Sequence, residues 1–261
     1  MVAELASARP PEFCTQSGFA YRCDWGLEGL EVLAADSAVV IVVDVLRFTS
    51  AVCCALEAGG VVLPYRWNDA SAVEFATQQN AILAGRREDS ALSLSPTDLL
   101  TMHAGTRLVL PSPNGSTIAF RAREMGVRHV LAGSLRNATA TADAARHLAD
   151  GGPISLIAAG ERWGGHDGSL RAAVEDLLGA GAILTALDPS AAATAPSCSP
   201  EAAAARAAFV AARPRLYDTL CTSASGRELL ARGWEDDIAT SAAHDVSTTI
   251  CHLSGNEFLH A

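Results

Sequence analysis

Residues 38–43, AVVIVV, form an unbroken apolar run, and shorter apolar runs follow at 61–65, 81–85, 107–112, 128–133 and 154–160. A run without polar alternation belongs to a strand covered on both faces. Between the runs lie segments with helix punctuation. TSAVCCALEAG carries Thr49 or Ser50 as N-cap and Gly59 near the C-cap; NDASAVEFATQQ opens at Asn68 or Asp69. NGSTIAFRAREMG ends at Gly126, NATATADAARHLADGG has Asn137 as N-cap, and SLRAAVEDLLGAGAILTAL is long and apolar. Buried strands alternating with helices predict an α/β fold, a three-layer α/β/α sandwich on a mostly parallel or mixed sheet.

Less regular segments complete the reading. Residues 86–100, RREDSALSLSPTDLL, lack periodicity and are expected to form a covering loop. The Ser/Ala/Pro stretch at 188–200 reads as a flexible joint inside one fold. Short helices around SASGRELLARG and a late strand at DVSTTICHL follow it. No repeat of fixed period occurs, so a single domain over 1–261 is expected.

Of the 261 residues, 49% are hydrophobic, enough for a sizeable core, and the formal charge of −10 argues against a nucleic-acid surface. A local positive pocket for a small anion remains compatible with that charge. The seven cysteines are odd in number and contain no C-x-x-C pair, which predicts packing thiols in a reducing compartment and no zinc site. The N-terminal stretch has no secretory pattern, and the apolar runs are too short to span a membrane. A cytoplasmic protein with no membrane partner is expected, with room for a homo-oligomer.

In open α/β sheets ligands bind beyond the carboxyl ends of the strands. The first run delivers Asp44, Arg47 and Thr49 there. The run at 107–112 delivers Ser112, Asn114, Gly115, Ser116 and Thr117; that at 128–133 delivers Ser134, Arg136 and Asn137; that at 154–160 delivers Glu161 and Arg162. Glycine turns, helix N-termini, hydroxyls and arginine forks together make an oxyanion site. Singly, each has an ordinary reading: Asn137 and the NGST turn as helix caps, Arg47 as a surface ion pair, Asp44 as a cap. Their meeting at one sheet edge is what points to a site. Glu175 and Asp176 are adjacent acids on a helix whose Gly179, Ala180 and Gly181 suit close packing, and successive helical positions diverge by about 100°, so only one need face the site. Acids beside a phosphate call for a divalent cation, and Asp44 with Glu175 or Asp176 could hold magnesium.

Taken in order, VVDVLRFTSAV, PSPNGST, GSLRNA, AAGERW, DGSL and EDLLGAGAI, with SASGRELLARGWEDDI and HDVSTTICHL in the tail, resemble the motifs of the 2-phosphosulfolactate phosphatase (ComB) family over about 38–253. The resemblance implies an α/β/α fold and a magnesium-dependent hydrolysis of 2-phospho-3-sulfolactate to 3-sulfolactate, a step toward coenzyme M in methanogens. Carried over by motif, the candidate site is Asp44, Arg47, Asn114, Gly115, Ser116, Thr117, Ser134, Asn137, Glu161, Glu175 and Asp176; within it catalytic roles are expected for Asp44, Arg47 and Glu161, and metal roles for Asp44, Glu175 and Asp176. Substrate contacts are expected from Thr49, Asn114, Gly115, Ser116, Thr117, Ser134, Asn137 and Arg162. The substrate would be a small anion bearing phosphate, carboxylate and sulfonate, with Arg47, Arg86, Arg87, Arg136 and Arg162 as available donors.

Other phosphate-handling readings fit less well. The D-x-D of haloacid-dehalogenase-type phosphatases fails at Leu46, and neither a P-loop nor a G-x-G-x-x-G motif is present. A non-catalytic binding or sensor protein for an organic phosphate or sulfonate stays open, as does a phosphatase acting on a different small phospho-acid.

Overall fold

The computed structural model describes residues 11–67, 69–164, 168–189 and 197–261. Nine strands form one mixed sheet: β1 (Tyr21–Trp25), β2 (Val39–Val43), β3 (Val61–Tyr65), β4 (Ile82–Leu83), β5 (Arg107–Pro111), β6 (His129–Gly133), β7 (Ile154–Ala158), β10 (Cys251–Ser254) and β11 (Glu257–His260). Their order is β1-β7-β2-β6-β10-β11-β3-β5-β4. Two parallel blocks, β1-β7-β2-β6 and β3-β5-β4, are joined through the antiparallel hairpin β10–β11. A single residue pair, Phe258 opposite Val62, links that hairpin to β3. A separate two-stranded ribbon pairs β8 (Glu161–Arg162) with β9 (Leu170–Arg171).

The helices cover both faces. On β2 every residue is buried, and alternate side chains enter different cores. Val39, Ile41 and Val43 pack with α6 (Ala138–Ala149), α7 (Val174–Leu187) and α8 (Pro200–Ala212). Val40 and Val42 pack with α1 (Gly26–Leu33), α2 (Phe48–Glu57) and α5 (Gly115–Glu124). A strand covered on both faces needs no polar alternation, which is why AVVIVV reads as it does. The α/β/α layering expected from the sequence is therefore present.

Several local expectations need correcting. Helix α2 starts at Phe48 with Arg47 in the N-cap position, ahead of Thr49 and Ser50, because the Thr49 hydroxyl closes back on the Asp44 main chain. The loop at 86–100 contains a short helix, α4 (Pro96–Leu99), capped by Ser95. Residues 170–171 are strand, so α7 begins at Val174 rather than at residue 169. Strand β10 begins only at Cys251, and its partner β11 has too few residues to show a pattern. The helix α3 (Ala70–Gln78) is capped by Asp69, whose carboxylate accepts from Ser71 N; Asn68 lies outside the described residues, as do 190–196 of the Ser/Ala/Pro segment. No helix among the described residues is long and apolar enough to cross a membrane.

Candidate active site

The carboxyl end of β2 carries Asp44 into the junction of α2, α5 and α7. Asp44 is buried, and its Oδ1 accepts from Phe48 N at 3.2 Å while Oδ2 accepts from Gly115 N at 3.0 Å. The glycine is required by space: a Cβ at 115 would stand 2.4 Å from Phe48 Cδ1 and 2.8 Å from Asp44 Oδ2. Burial raises the Asp44 pKa to about 6, against the lowering effect of those two N–H donors and of Arg47, with Glu175 adding repulsion.

Asp176 approaches from the first turn of α7. Its Oδ1 accepts from Val45 N at 2.7 Å and its Oδ2 from Gly160 N at 2.9 Å, so one carboxylate clasps the turns after β2 and β7. Burial, then Asp44 and Glu175, push its pKa well above the ordinary range. Glu175 is also buried, and its Oε1 has no hydrogen-bond partner among the described residues. Glu161 accepts from Asn114 Nδ2 at 3.1 Å, and burial followed by the Asp44 charge raises its pKa to about 7, partly offset by Arg171. Four acids thus share one junction, and their repulsion is incompletely compensated. Adjacent helical residues do not face the same way, yet at the mouth of α7 both acids are buried, Asp176 on two main-chain donors and Glu175 with an unpartnered Oε1 among the described residues.

The remaining predicted donors divide into two groups. Asn114 and Gly115 touch the acids directly, as above. Thr49 is fully buried and its hydroxyl braces Asp44 through both main-chain N–H and carbonyl. Ser116 donates to the carbonyls of Tyr65 and Ser112, fixing the entry to α5. Thr117 is half-buried on the same turn. Ser134 N and Oγ both donate to Asn137 Oδ1, and Asn137 Nδ2 donates to Thr249 O. Asn137 therefore occupies the N-cap position of α6 without a side-chain cap bond, tying the β6 turn to the approach of β10. Arg162 Nη1 donates to Gly168 O, and Arg136 pairs with Glu57 at 3.1 Å and donates to Thr240 O.

Arg47 turns from the acids toward α11 (Glu235–Ala242). Its Nη1 donates to Asp237 Oδ2 at 2.6 Å, and its guanidinium carbon lies 4.6 Å from the centre of the Trp234 ring. Beyond it opens a cavity of about 540 Å³ whose lining includes Arg47, Arg86, Arg87, Arg232 and Trp234. Sequence reasoning missed Arg232, Trp234 and Asp237 as site residues. They lie within the GRELLARGWEDDI stretch, where three acids in a row mask a buried counter-ion as a solvated face.

The acid junction has features of a cation site: a glutamate oxygen that is buried and unpartnered among the described residues, and neighbouring carboxyls whose pKa values are raised by burial and then by mutual repulsion. Among the described residues no group of three or more His, Cys, Asp or Glu side chains is set to hold a metal unaided. Magnesium is commonly held by one or two carboxylates with water and phosphate oxygens completing the shell, so Glu175 and Asp44 suit it.

The family model described as 2-phosphosulpholactate phosphatase matches residues 30–256. A protein of Thermus thermophilus named "Probable 2-phosphosulfolactate phosphatase" is 34% identical over 152 residues, 56% of this chain and 60% of that protein. The "2-phosphosulfolactate phosphatase" of Methanothermobacter thermautotrophicus is 30% identical over 206 residues, covering 77% of this chain and 80% of that protein. With the match running from α1 through β10 and taking in all four acids of the junction, the chain belongs to the 2-phosphosulfolactate phosphatase family.

Proposed function

We propose that the protein is a magnesium-dependent phosphatase that hydrolyses 2-phospho-3-sulfolactate to 3-sulfolactate and inorganic phosphate. The observation that carries this reading is the juxtaposition, across Arg47, of an acid junction and an arginine-lined cavity. The acids suit a cation, the arginines an organic anion, and a phosphate monoester with further negative groups needs both. The names of the two relatives supply the substrate.

Glu175 and Asp44 would hold magnesium, which when bound supplies charge neutralisation at the phosphoryl oxygens. Arg47 adds a fixed positive charge, its guanidinium oriented by Asp237 and the Trp234 face. Glu161, whose carboxyl pKa is raised to about 7 and whose Oε2 accepts from Asn114, would protonate the departing alkoxide. We favour direct attack by water over an aspartyl-phosphate, because Leu46 stands where D-x-D enzymes carry their second acid. Acid quenching during turnover that trapped phosphate on Asp44 would overturn that preference.

The first measurement is phosphate release from 2-phosphosulfolactate by the purified protein, with chelator and with added magnesium. The expected result is turnover that chelation lowers at least about tenfold and magnesium restores. Binding of 3-sulfolactate with no phosphate release at any magnesium concentration would favour a sensor protein instead. Turnover indifferent to chelation would remove the metal.

A further inference from the structure

Three guanidiniums converge on one indole. The Cζ atoms of Arg47, Arg232 and Arg87 lie 4.6, 5.1 and 5.9 Å from the centre of the Trp234 ring. Three like charges gather only if something compensates them. Asp237 does so for two: it is fully buried, its Oδ2 stands 2.6 Å from Arg47 Nη1 and 3.1 Å from Arg87 Nη1, and its Oδ1 accepts from the Ser95 hydroxyl. Arg87 also pairs with Asp236 at 2.6 Å and lies 3.5 Å from Asp98. Even so, Arg87 Nη1 is a buried donor outside hydrogen-bond geometry with any acceptor among the described residues. Among the described residues Arg232 pairs only with the exposed Glu228 at 2.7 Å, one turn earlier on the surface of α10 (Ala224–Ala231), a type of pair worth little. Arg86, exposed on the same cavity wall, adds a fourth guanidinium; the exposed Glu88 and Asp89 lie on that loop as well.

We propose that Arg87 and Arg232, backed by Trp234, form a second anion subsite that receives the sulfonate of the substrate while the phosphoryl group lies on the Asp44 side of Arg47. This deepens the function proposed above and rests on it for the identity of the substrate. A sulfonate presents three oxygens and a charge that persists at every physiological pH, so it suits donors that never deprotonate. The buried donor of Arg87 gains an acceptor, and Arg232 exchanges a weak surface pair for a charge-assisted one. Trp234 holds the forks by its ring face without competing for their N–H groups. Asp237 acts as a positioning residue: it fixes Arg47 and Arg87 side by side at the border between the two anion sites.

The test separates this subsite from the phosphatase reading. Calorimetric titration with 3-sulfolactate and, separately, with lactate needs no turnover. Parent protein should bind 3-sulfolactate at least about tenfold more tightly than lactate. Arg232→Gln and Arg87→Gln should each weaken 3-sulfolactate binding by about 10- to 100-fold while leaving lactate binding unmoved. Arg232 is exposed, so its variant keeps the fold, and circular dichroism checks both. In kinetics, Arg232→Gln, which removes a side chain that does not pair with Asp237 among the described residues, should raise KM for 2-phosphosulfolactate with kcat little changed, and leave KM for 2-phospholactate, which lacks the sulfonate, as in the parent. Equal binding of 3-sulfolactate and lactate by the parent, or unchanged 3-sulfolactate affinity in the folded Arg232→Gln protein, overturns the subsite. Should the parent release no phosphate from either ester and yet bind 3-sulfolactate through these arginines, the phosphatase reading falls and the subsite stands.

Discussion

Glu175 and Asp176 are neighbours in sequence with the same charge, yet their surroundings assign them opposite tasks. Asp176 uses both oxygens on main-chain donors, Val45 N and Gly160 N. In Asp176→Asn, one of those N–H groups must face an amide N–H, leaving a buried donor unsatisfied. That should cost about 1–3 kcal/mol and lower the melting temperature with or without magnesium. Glu175 has an oxygen that no protein donor satisfies. Glu175→Gln should keep or raise the melting temperature of the metal-free protein, because it removes a like charge, and should raise the magnesium concentration needed for half-maximal phosphate release. Identical melting shifts in the two variants would refute the division. The sequence displays the acids but not this difference, because the clasp depends on two turns, at 45 and 160, distant along the chain. That Asp44 and Asn114 come to one sheet edge was legible from their places at strand ends. Thr49, Ser116 and Asn137 show the limit of that logic: a hydroxyl or amide at a strand end also serves to close the turn that carries it, and in this structure their polar atoms do so.

At the scale of elements, α7 decides how closely the acids approach β2. Its glycines are contact points rather than flexible joints. A Cβ on Gly179 would lie 2.6 Å from Val45 Cγ2 and 2.8 Å from Val43 Cγ1; one on Gly181 would lie 2.2 Å from the Ala205 carbonyl oxygen of α8. Gly181→Ala pits two effects against each other. Alanine improves helix propensity by about 1 kcal/mol, while forcing backbone away from backbone costs about 1–3 kcal/mol or more. Since the obstacle is a main-chain oxygen rather than a flexible side-chain tip, overpacking wins, and a net loss of about 1–2 kcal/mol is expected in chemical denaturation. A more stable Gly181→Ala protein would show that α8 gives way freely. The small residues of EDLLGAGAI made this packing legible. Strand β10 was legible only in part, as the end of the late strand expected at DVSTTICHL, and the ribbon β8–β9 and strand β11 were not, since two- to four-residue strands carry no periodicity and are held by their partners. The long apolar runs were read correctly because burial on both faces leaves a mark in every residue of β2.

Across the whole molecule the acid junction should couple folding to pH and, on the function proposed above, to magnesium. Glu161 has its pKa raised from 4.5 to about 7. Between about pH 4.5 and 7 the folded protein therefore binds more protons at this site than the unfolded chain does, and the slope of unfolding free energy with pH is negative for this group. Its contribution is fully present below about pH 4.5 and is lost as pH rises through 7. The magnitude is on the order of 2 kcal/mol once the partial solvation of Glu161 is allowed for. His129, His244 and His252 oppose it: burial lowers their pKa values, so they favour folding less as pH falls. A bare melting curve against pH mixes the two effects, and the difference between the parent and Glu161→Gln isolates one. With chelator, the parent should lose about 2 kcal/mol relative to Glu161→Gln on going from pH 5 to pH 8. Magnesium, which binds the ionised acids, should shrink that difference and should stabilise the parent more at pH 8 than at pH 5. A parent that gains on Glu161→Gln as pH rises in chelator would mean that the carboxylate is paired rather than repelled. Equal stabilisation by magnesium at both pH values would mean that the ion binds away from these acids.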